Sequence, residues 1–185
     1  MNSQDAVALI AGAVPQRGGT WADFGAGHGT FTRALAEVLG PDSRIYAMDR
    51  DRKAIAALQR LVDRAPVPFP IIPVLDDFTR PVDLPGLRDG LDGMLLANAL
   101  HYVPDPQIVL RRLAALLRPG GRVVLIEYDR RAANRWVPYP IPVARLPALA
   151  AYADLTTPVI TATRRSAFGG ELYVATADRL RTSQE

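Results

Sequence analysis

The stretch WADFGAGHGTF, Trp21–Phe31, decides how this chain folds. The apolar run GTWADF predicts a short strand ending at Asp23–Phe24. Gly25, Gly27 and Gly29 follow within five positions. Phe31, Leu35, Val38 and Leu39 then share one helical face, and Gly40–Pro41 stops the helix. A strand, a glycine-dense turn and a helix form a place where backbone can approach a ligand closely.

The same alternation continues outward. RIYAMD reads as a second strand, and Asp51 caps a helix whose apolar side is Ile55, Leu58, Leu61 and Val62, ended before Pro66. FPIIPVL is a third strand, and Pro70 and Pro73 put it at a sheet edge, where a missing N–H costs nothing. LDGMLLANAL is nearly all apolar, as a strand buried on both faces must be. Asp105–Pro106 starts a helix with Val109, Leu113, Leu116 and Leu117 on one face, Arg118 in its last turn and PGG ending it. RVVLIEY is a fifth strand. Such alternation implies parallel βαβ units in an open α/β sheet. After a proline-rich loop, YDRRAANRWVPYPIP, a helix is expected near Arg145–Tyr152. TPVITATRR and GGELYVATA then read as two strands joined by SAFGG. So short a connection allows only an antiparallel hairpin, so the sheet should be mostly parallel with one reversed strand.

The 185 residues suit one domain over 1–185, with a short N-terminal helix in 1–18. Apolar residues make up 49% and charged residues 22%, ordinary for a globular chain. The net charge is only +3, so the pI of about 9.6 reflects a small arginine excess rather than a polycation. Basic pairs at Arg111–Arg112, Arg130–Arg131 and Arg164–Arg165 are scattered, and no nucleic-acid partner is expected. Arg111–Arg112 reads as a solvated helix face. With no cysteine and only His28 and His101, thiolate and multi-histidine metal sites are excluded. AVALIAGAV lacks the basic flank of a signal peptide and no run reaches membrane-span length, so the expected location is cytoplasmic.

The glycine loop narrows the ligand. A dinucleotide fingerprint is G-x-G-x-x-G, and here Thr30 stands where the third glycine belongs. No Gly-Lys-Ser/Thr follows, which removes a P-loop. Asp23 would repel a pyrophosphate and attract an ammonium. Asp49 ends the second strand about 20 residues beyond the last glycine, where an acid accepts from ribose hydroxyls. Asp77 could accept from an adenine amino group, with Phe78 as an apolar wall. Asp76 and Asp77 taken alone are ordinary turn residues, but acids ending three consecutive strands read together as a site.

DFGAGHGTF, YAMDRD, DDFTRP, LLANALHYVPD and LLRPGGRVVLIEYD resemble the successive motifs of class I S-adenosylmethionine-dependent methyltransferases. The style is closest to the small-molecule, ubiquinone/menaquinone-type branch. The resemblance implies a Rossmann-like open, twisted seven-stranded sheet, with helices on both faces and the last strand inserted antiparallel. It implies S-adenosylmethionine as methyl donor and S-adenosylhomocysteine as product. By the same resemblance Gly25, Ala26 and Gly27 lie against the methionine part, and Asp23 helps hold its ammonium. Asp49, with Arg50 beside it, takes the ribose, Asp77 and Phe78 take adenine, and Ala97 and Asn98 line the reactive end. Gly29 serves the turn and helix packing, and His28 is the variable residue of the loop.

Methyl transfer mainly needs alignment and exclusion of water, and a base only where the acceptor loses a proton. His101 is the candidate catalytic base, against a plain positioning role. Glu127, Tyr128 and Asp129 follow the fifth strand on the same edge. The loop 128–142 offers Tyr128, Arg130, Trp136 and Tyr139 to a planar or anionic small-molecule acceptor, or packs onto the domain. No large substrate cap precedes the first strand, so this loop or a homodimer partner would complete the acceptor pocket. A nicotinamide-dependent oxidoreductase and a non-catalytic S-adenosylmethionine-binding protein are the alternatives.

Overall fold

The structure is a computed structural model that describes residues 2–15, 18–64, 71–130, 132–166 and 170–181. The strands are β1 (Gly19–Phe24), β2 (Ser43–Asp49), β3 (Ile71–Leu75), β4 (Leu91–Ala97), β5 (Leu117–Tyr128), β6 (Val159–Arg165) and β7 (Glu171–Asp178). The helices are α1 (Ser3–Ile10), α2 (Thr30–Leu39), α3 (Arg52–Arg64), α4 (Pro106–Ala114) and α5 (Leu146–Tyr152). The strands form one seven-stranded sheet in the order β3-β2-β1-β4-β5-β7-β6. Only β7 is reversed, antiparallel to both β5 and β6. The expected mixed sheet with a late antiparallel strand is therefore the one observed. β3 does lie at the edge, with Pro73 opposite Ala47. Phe69 and Pro70, expected in β3, Pro66, expected to end α3, and most of the SAFGG connection lie outside the described residues.

The strands alternate their faces with a period of two. Phe24, Tyr46, Met48, Met94 and Leu125 point into a core shared with α4 and α5. Trp21, Ile45, Leu95, Val124 and Ile126 point into a second core shared with α1, α2 and α3. Helices thus cover both faces, which is why β4 reads as an almost unbroken apolar run.

The second core has a demanding contact at its centre. Trp21 is fully buried and pairs across the sheet with Gly93. A Cβ on Gly93 would lie 2.6 Å from the indole Cζ2, closer than any side chain can sit. Gly93→Ala is expected to destabilise the fold by about 3 kcal/mol, the upper end of core overpacking. A urea midpoint unchanged from the parent would refute this.

Three local expectations are corrected. The helix after Asp105 ends at Ala114 rather than running to Leu117, and residues 117–121 belong to β5. Gly120, at φ +79°, lets the chain turn there, and its N–H donates to the Arg179 carbonyl. Leu117 consequently pairs with Leu91 as a strand residue. Asp105 precedes Pro106 as expected, but its side chain makes no capping hydrogen bond. Arg111 and Arg112 are not one solvated pair. Arg111 is exposed beside Asp154, at 3.8 Å, and over the Tyr152 ring, whereas Arg112 is half-buried and turned towards residues 78–79.

Candidate active site

The chain runs outward from β1 to β2 and β3, then returns to place β4 on the other side of β1. At such a switch point the loops after the two strands diverge and leave a crevice. The glycine turn fills the β1 side. Gly25, at φ +79°, and Ala26 both donate their N–H to the Met48 carbonyl at 2.9 Å. Gly27, at φ +54°, donates its N–H to Asp49 Oδ2 at 2.8 Å. The other Asp49 oxygen accepts from the Asp51 N–H at 2.9 Å. Asp49 therefore ends β2 and pins the glycine turn at once. A Cβ on Gly25 would lie 2.7 Å from that of Ala99, so only glycine leaves the crevice open. Around Gly27 a Cβ would meet nothing within 4 Å. Gly29 instead faces the Leu58 side chain, where α2 meets α3, and His28 is exposed.

Gly25, Asp49, Arg50, Asp77, Phe78 and Asn98 line one cavity of about 230 Å³. Thr79, Ala99, Tyr102 and Val103 complete its wall. These four escaped the sequence reading, although all are close neighbours of residues it selected. Ala26, Gly27 and Ala97 are not on the wall, and neither is Asp23.

Asp23 lies beneath the turn, 1% exposed. Its Oδ2 accepts the Thr32 hydroxyl at 2.7 Å, and its Oδ1 is buried without a partner. Burial pushes its pKa up to about 7, eased by the Thr32 bond and reinforced by the charge of Asp49. Asp77 behaves oppositely. Partial burial works against its charge, but the Thr79 hydroxyl and amide, with Arg50 and Arg80, outweigh it and hold the carboxyl below its ordinary value. Both Thr79 bonds, at 2.7 and 3.0 Å, go to Oδ1. Across the cavity Asn98 has φ +53°, a left-handed conformation that asparagine tolerates better than most residues. Its N–H donates to the Ile126 carbonyl, while its side-chain oxygen is buried without a donor.

His101 is 2% exposed and its Nδ1 lies 2.5 Å from Oε2 of the fully buried Glu127. Glu127 Oε1 accepts the N–H groups of Leu100 and His101 at 3.0 and 3.2 Å. Glu127 lies inside β5 rather than after it. One acid in the otherwise apolar run VVLIEY was the signal for a buried partner. His101 itself is not on the cavity wall; the adjoining Tyr102 and Val103 are.

The 128–142 loop is fastened rather than loose, and Arg131 lies outside the described residues. Asp129 accepts the Val143 N–H at 3.0 Å, and the Ile141 carbonyl accepts the Tyr173 hydroxyl at 2.7 Å. The Tyr139 N–H donates to the His101 carbonyl at 3.0 Å. Tyr128 has its ring 6.3 Å from that of His101. Trp136 is 64% exposed under the Arg135 guanidinium, and Tyr139 is exposed too. None of Tyr128, Arg130, Trp136 and Tyr139 lines the cavity.

A family profile described as a methyltransferase domain matches residues 22–123, from inside β1 to the middle of β5. The chain belongs to the methyltransferase domain family. Among curated relatives of this methyltransferase-family chain, it is 32% identical over 110 residues to 2-phytyl-1,4-naphtoquinone methyltransferase of Synechococcus elongatus, covering 58% of this chain and 45% of that one. It is 43% identical over 56 residues to ribosomal RNA small subunit methyltransferase H of Paracidovorax citrulli, covering 30% of this chain and 18% of that one. The chain thus spans less than half of either relative. Its fold also matches the crystal structure of Burkholderia thailandensis 1,6-didemethyltoxoflavin-N1-methyltransferase, which holds 1,6-didemethyltoxoflavin and S-adenosylhomocysteine. The TM-score is 0.73 at 25% identity, covering 97% of this chain and 78% of that one.

Proposed function

We propose that this chain transfers a methyl group from S-adenosylmethionine to a small-molecule acceptor by in-line displacement. One observation carries the reading: Asp49 and Asp77 meet on one glycine-floored cavity that Asn98, with its donorless side-chain oxygen, also lines, while the donorless oxygen of Asp23 is buried beneath the glycine turn. Buried acceptors without donors are costly, and a ligand ammonium would supply them. A pyrophosphate would instead meet the Asp49 carboxylate on the cavity wall, which disfavours a dinucleotide. The likeness to a small-molecule methyltransferase extends over nearly the whole chain, whereas that to the ribosomal RNA enzyme covers under a third of it.

In this reading Asp49 accepts from the ribose hydroxyls, with Arg50 at the rim. The free Oδ2 of Asp77 accepts from the adenine amino group, and Phe78 walls the ring. The backbone of Gly25, Ala26 and Gly27 faces the methionine portion, Asp23 receives the ammonium, and Ala97 and Asn98 border the reactive end. The bound donor supplies a sulfonium-activated methyl. His101 takes the acceptor's proton through Nε2, because Glu127 engages Nδ1. Tyr128, Arg130, Trp136 and Tyr139 form the surface that receives a planar or anionic acceptor.

The Asp23 assignment sets a pH dependence. A carboxyl with a pKa of about 7 must lose its proton to meet an ammonium. S-adenosylhomocysteine affinity should therefore weaken about tenfold per pH unit below pH 7 and level off above it. Without ligand the sign reverses. The raised pKa stabilises the fold at low pH, and that contribution is lost as pH rises from about 4 to 7. Calorimetry from pH 5.5 to 8 checks the first part, and a flat affinity profile would remove Asp23 from the site.

The function itself is tested by incubating the protein with methyl-labelled S-adenosylmethionine and fractionated metabolites. A labelled small-molecule product is expected. Absence of calorimetric binding of both S-adenosylmethionine and S-adenosylhomocysteine would overturn the proposal.

A further inference from the structure

We infer that Arg112, on α4, is a positioning residue that holds the adenine wall of the cavity in place. The inference rests on the cofactor reading above. Arg112 Nη2 donates to the Thr79 carbonyl at 2.5 Å and lies 3.4 Å from the Phe78 carbonyl. Its Nε is buried and makes no hydrogen bond, so the guanidinium is sunk into the fold rather than solvated. Its neighbour Arg111 is 59% exposed, 3.8 Å from Asp154 and over the Tyr152 ring. Of two adjacent arginines on one helix, one faces solvent and the other reaches 33 residues back along the chain.

What Arg112 grips is a turn otherwise organised mostly by itself. Asp77 accepts from Thr79 through Oδ1, its backbone carbonyl accepts the Arg80 N–H at 2.9 Å, and its own N–H goes to Asp76 Oδ1 at 2.7 Å. One backbone bond, from the Asp76 N–H to the Asp49 carbonyl at 3.2 Å, ties the turn to β2. Arg112 ties the other end of it to α4. Fixing the Thr79 carbonyl fixes the Thr79 hydroxyl, which occupies Oδ1 of Asp77 and leaves Oδ2 for the adenine amino group. α4 also follows directly on the segment that carries Asn98, Ala99, Tyr102 and Val103. Arg112 thus yokes the two opposing walls of the cavity, the adenine wall and the β4 wall, through one helix. A guanidinium suits this because it can direct several donors at adjacent carbonyls in a fixed geometry.

The test is adenine-specific. S-adenosylhomocysteine is compared by calorimetry with its inosine counterpart, in which the 6-amino group is replaced by an oxo group. The variants are Arg112→Met, which keeps the stem's volume but removes the donors, Arg112→Lys, and Arg111→Ala as control. The parent should prefer the adenine ligand. Arg112→Met should raise the Kd for S-adenosylhomocysteine about tenfold, the effect of one charge-assisted hydrogen bond. It should leave the Kd of the inosine ligand within about twofold, because that ligand gains nothing from a placed Asp77. Arg112→Lys should restore part of the discrimination, and Arg111→Ala should behave as the parent. Equal weakening of both ligands would make Arg112 merely structural, and unchanged discrimination would remove it from the site; either overturns the inference while the cofactor reading stands. A parent that binds neither ligand would overturn both. Should Arg112→Met not fold, the Arg112→Lys protein decides by the same comparison: parental discrimination counts against the inference, and a partial loss confined to the adenine ligand supports it.

Discussion

Asp49→Ala is expected to raise the Kd for S-adenosylhomocysteine by about a hundredfold or more. Two hydroxyl hydrogen bonds to a carboxylate are at stake, each worth about 1.5–3 kcal/mol because the acceptor is charged. The same substitution takes away the acceptor of the Gly27 N–H, at 2.8 Å, so the glycine turn loses its anchor to β2. The two losses separate in Asp49→Asn. Its amide oxygen can still receive the Gly27 N–H, while the charge and the second acceptor are gone. The asparagine variant should fall between parent and alanine. Parental affinity in the alanine variant, measured by calorimetry, would take the ribose out of this position.

The second large effect is on turnover. Glu127→Gln should lower the rate of methyl transfer by about a hundredfold or more, the scale of losing a positioned general base. Binding of S-adenosylhomocysteine should not change. The glutamine carbonyl can still accept the Leu100 and His101 N–H groups that Glu127 Oε1 now receives. Its NH₂ must then donate to His101 Nδ1, which sends the ring proton to Nε2 and blocks that nitrogen as a proton acceptor. Ring-nitrogen NMR reads the tautomer directly, and the chain has only two histidines to distinguish. Nδ1–H is expected in the parent and Nε2–H in the variant. A variant that switches tautomer yet keeps the parental rate would show that His101 does not move the proton. Glu127→Ala is the wrong experiment, because it strands two backbone amides and the imidazole in the core at a cost of about 3–5 kcal/mol.

Much of the fold was legible because each strand announces itself by composition and each helix by period. Pro73 pointed to the edge position of β3, and the shortness of the SAFGG connection to the reversed strand. The end of α4 was not legible. Leu116 and Leu117 fit the helical face of Val109 and Leu113, but Leu117 is drawn into pairing with Leu91, a contact that periodicity cannot express. At the site, the positions readable from spacing were those at strand ends, Gly25, Asp49 and Asp77, whereas Asn98 came from the family resemblance. Positions defined by another element's reach were not readable. Glu127 meets His101 because β5 lies beside β4, and Arg112 meets Thr79 because α4 passes within reach of the turn after β3. Neither fact exists in the chain until the sheet order is known. Asp23 is intermediate. Its place before the glycines was visible, but its burial, and so its raised pKa, was not.

The 128–142 loop is stapled at its ends, one by Asp129 to Val143 and the other through Ile141 to Tyr173, and its exposed middle carries Trp136 and Tyr139. The match to the methyltransferase-domain profile ends at residue 123, before this loop begins. The stretch between the staples therefore lies beyond the matched segment and is held from outside, by Val143 and Tyr173.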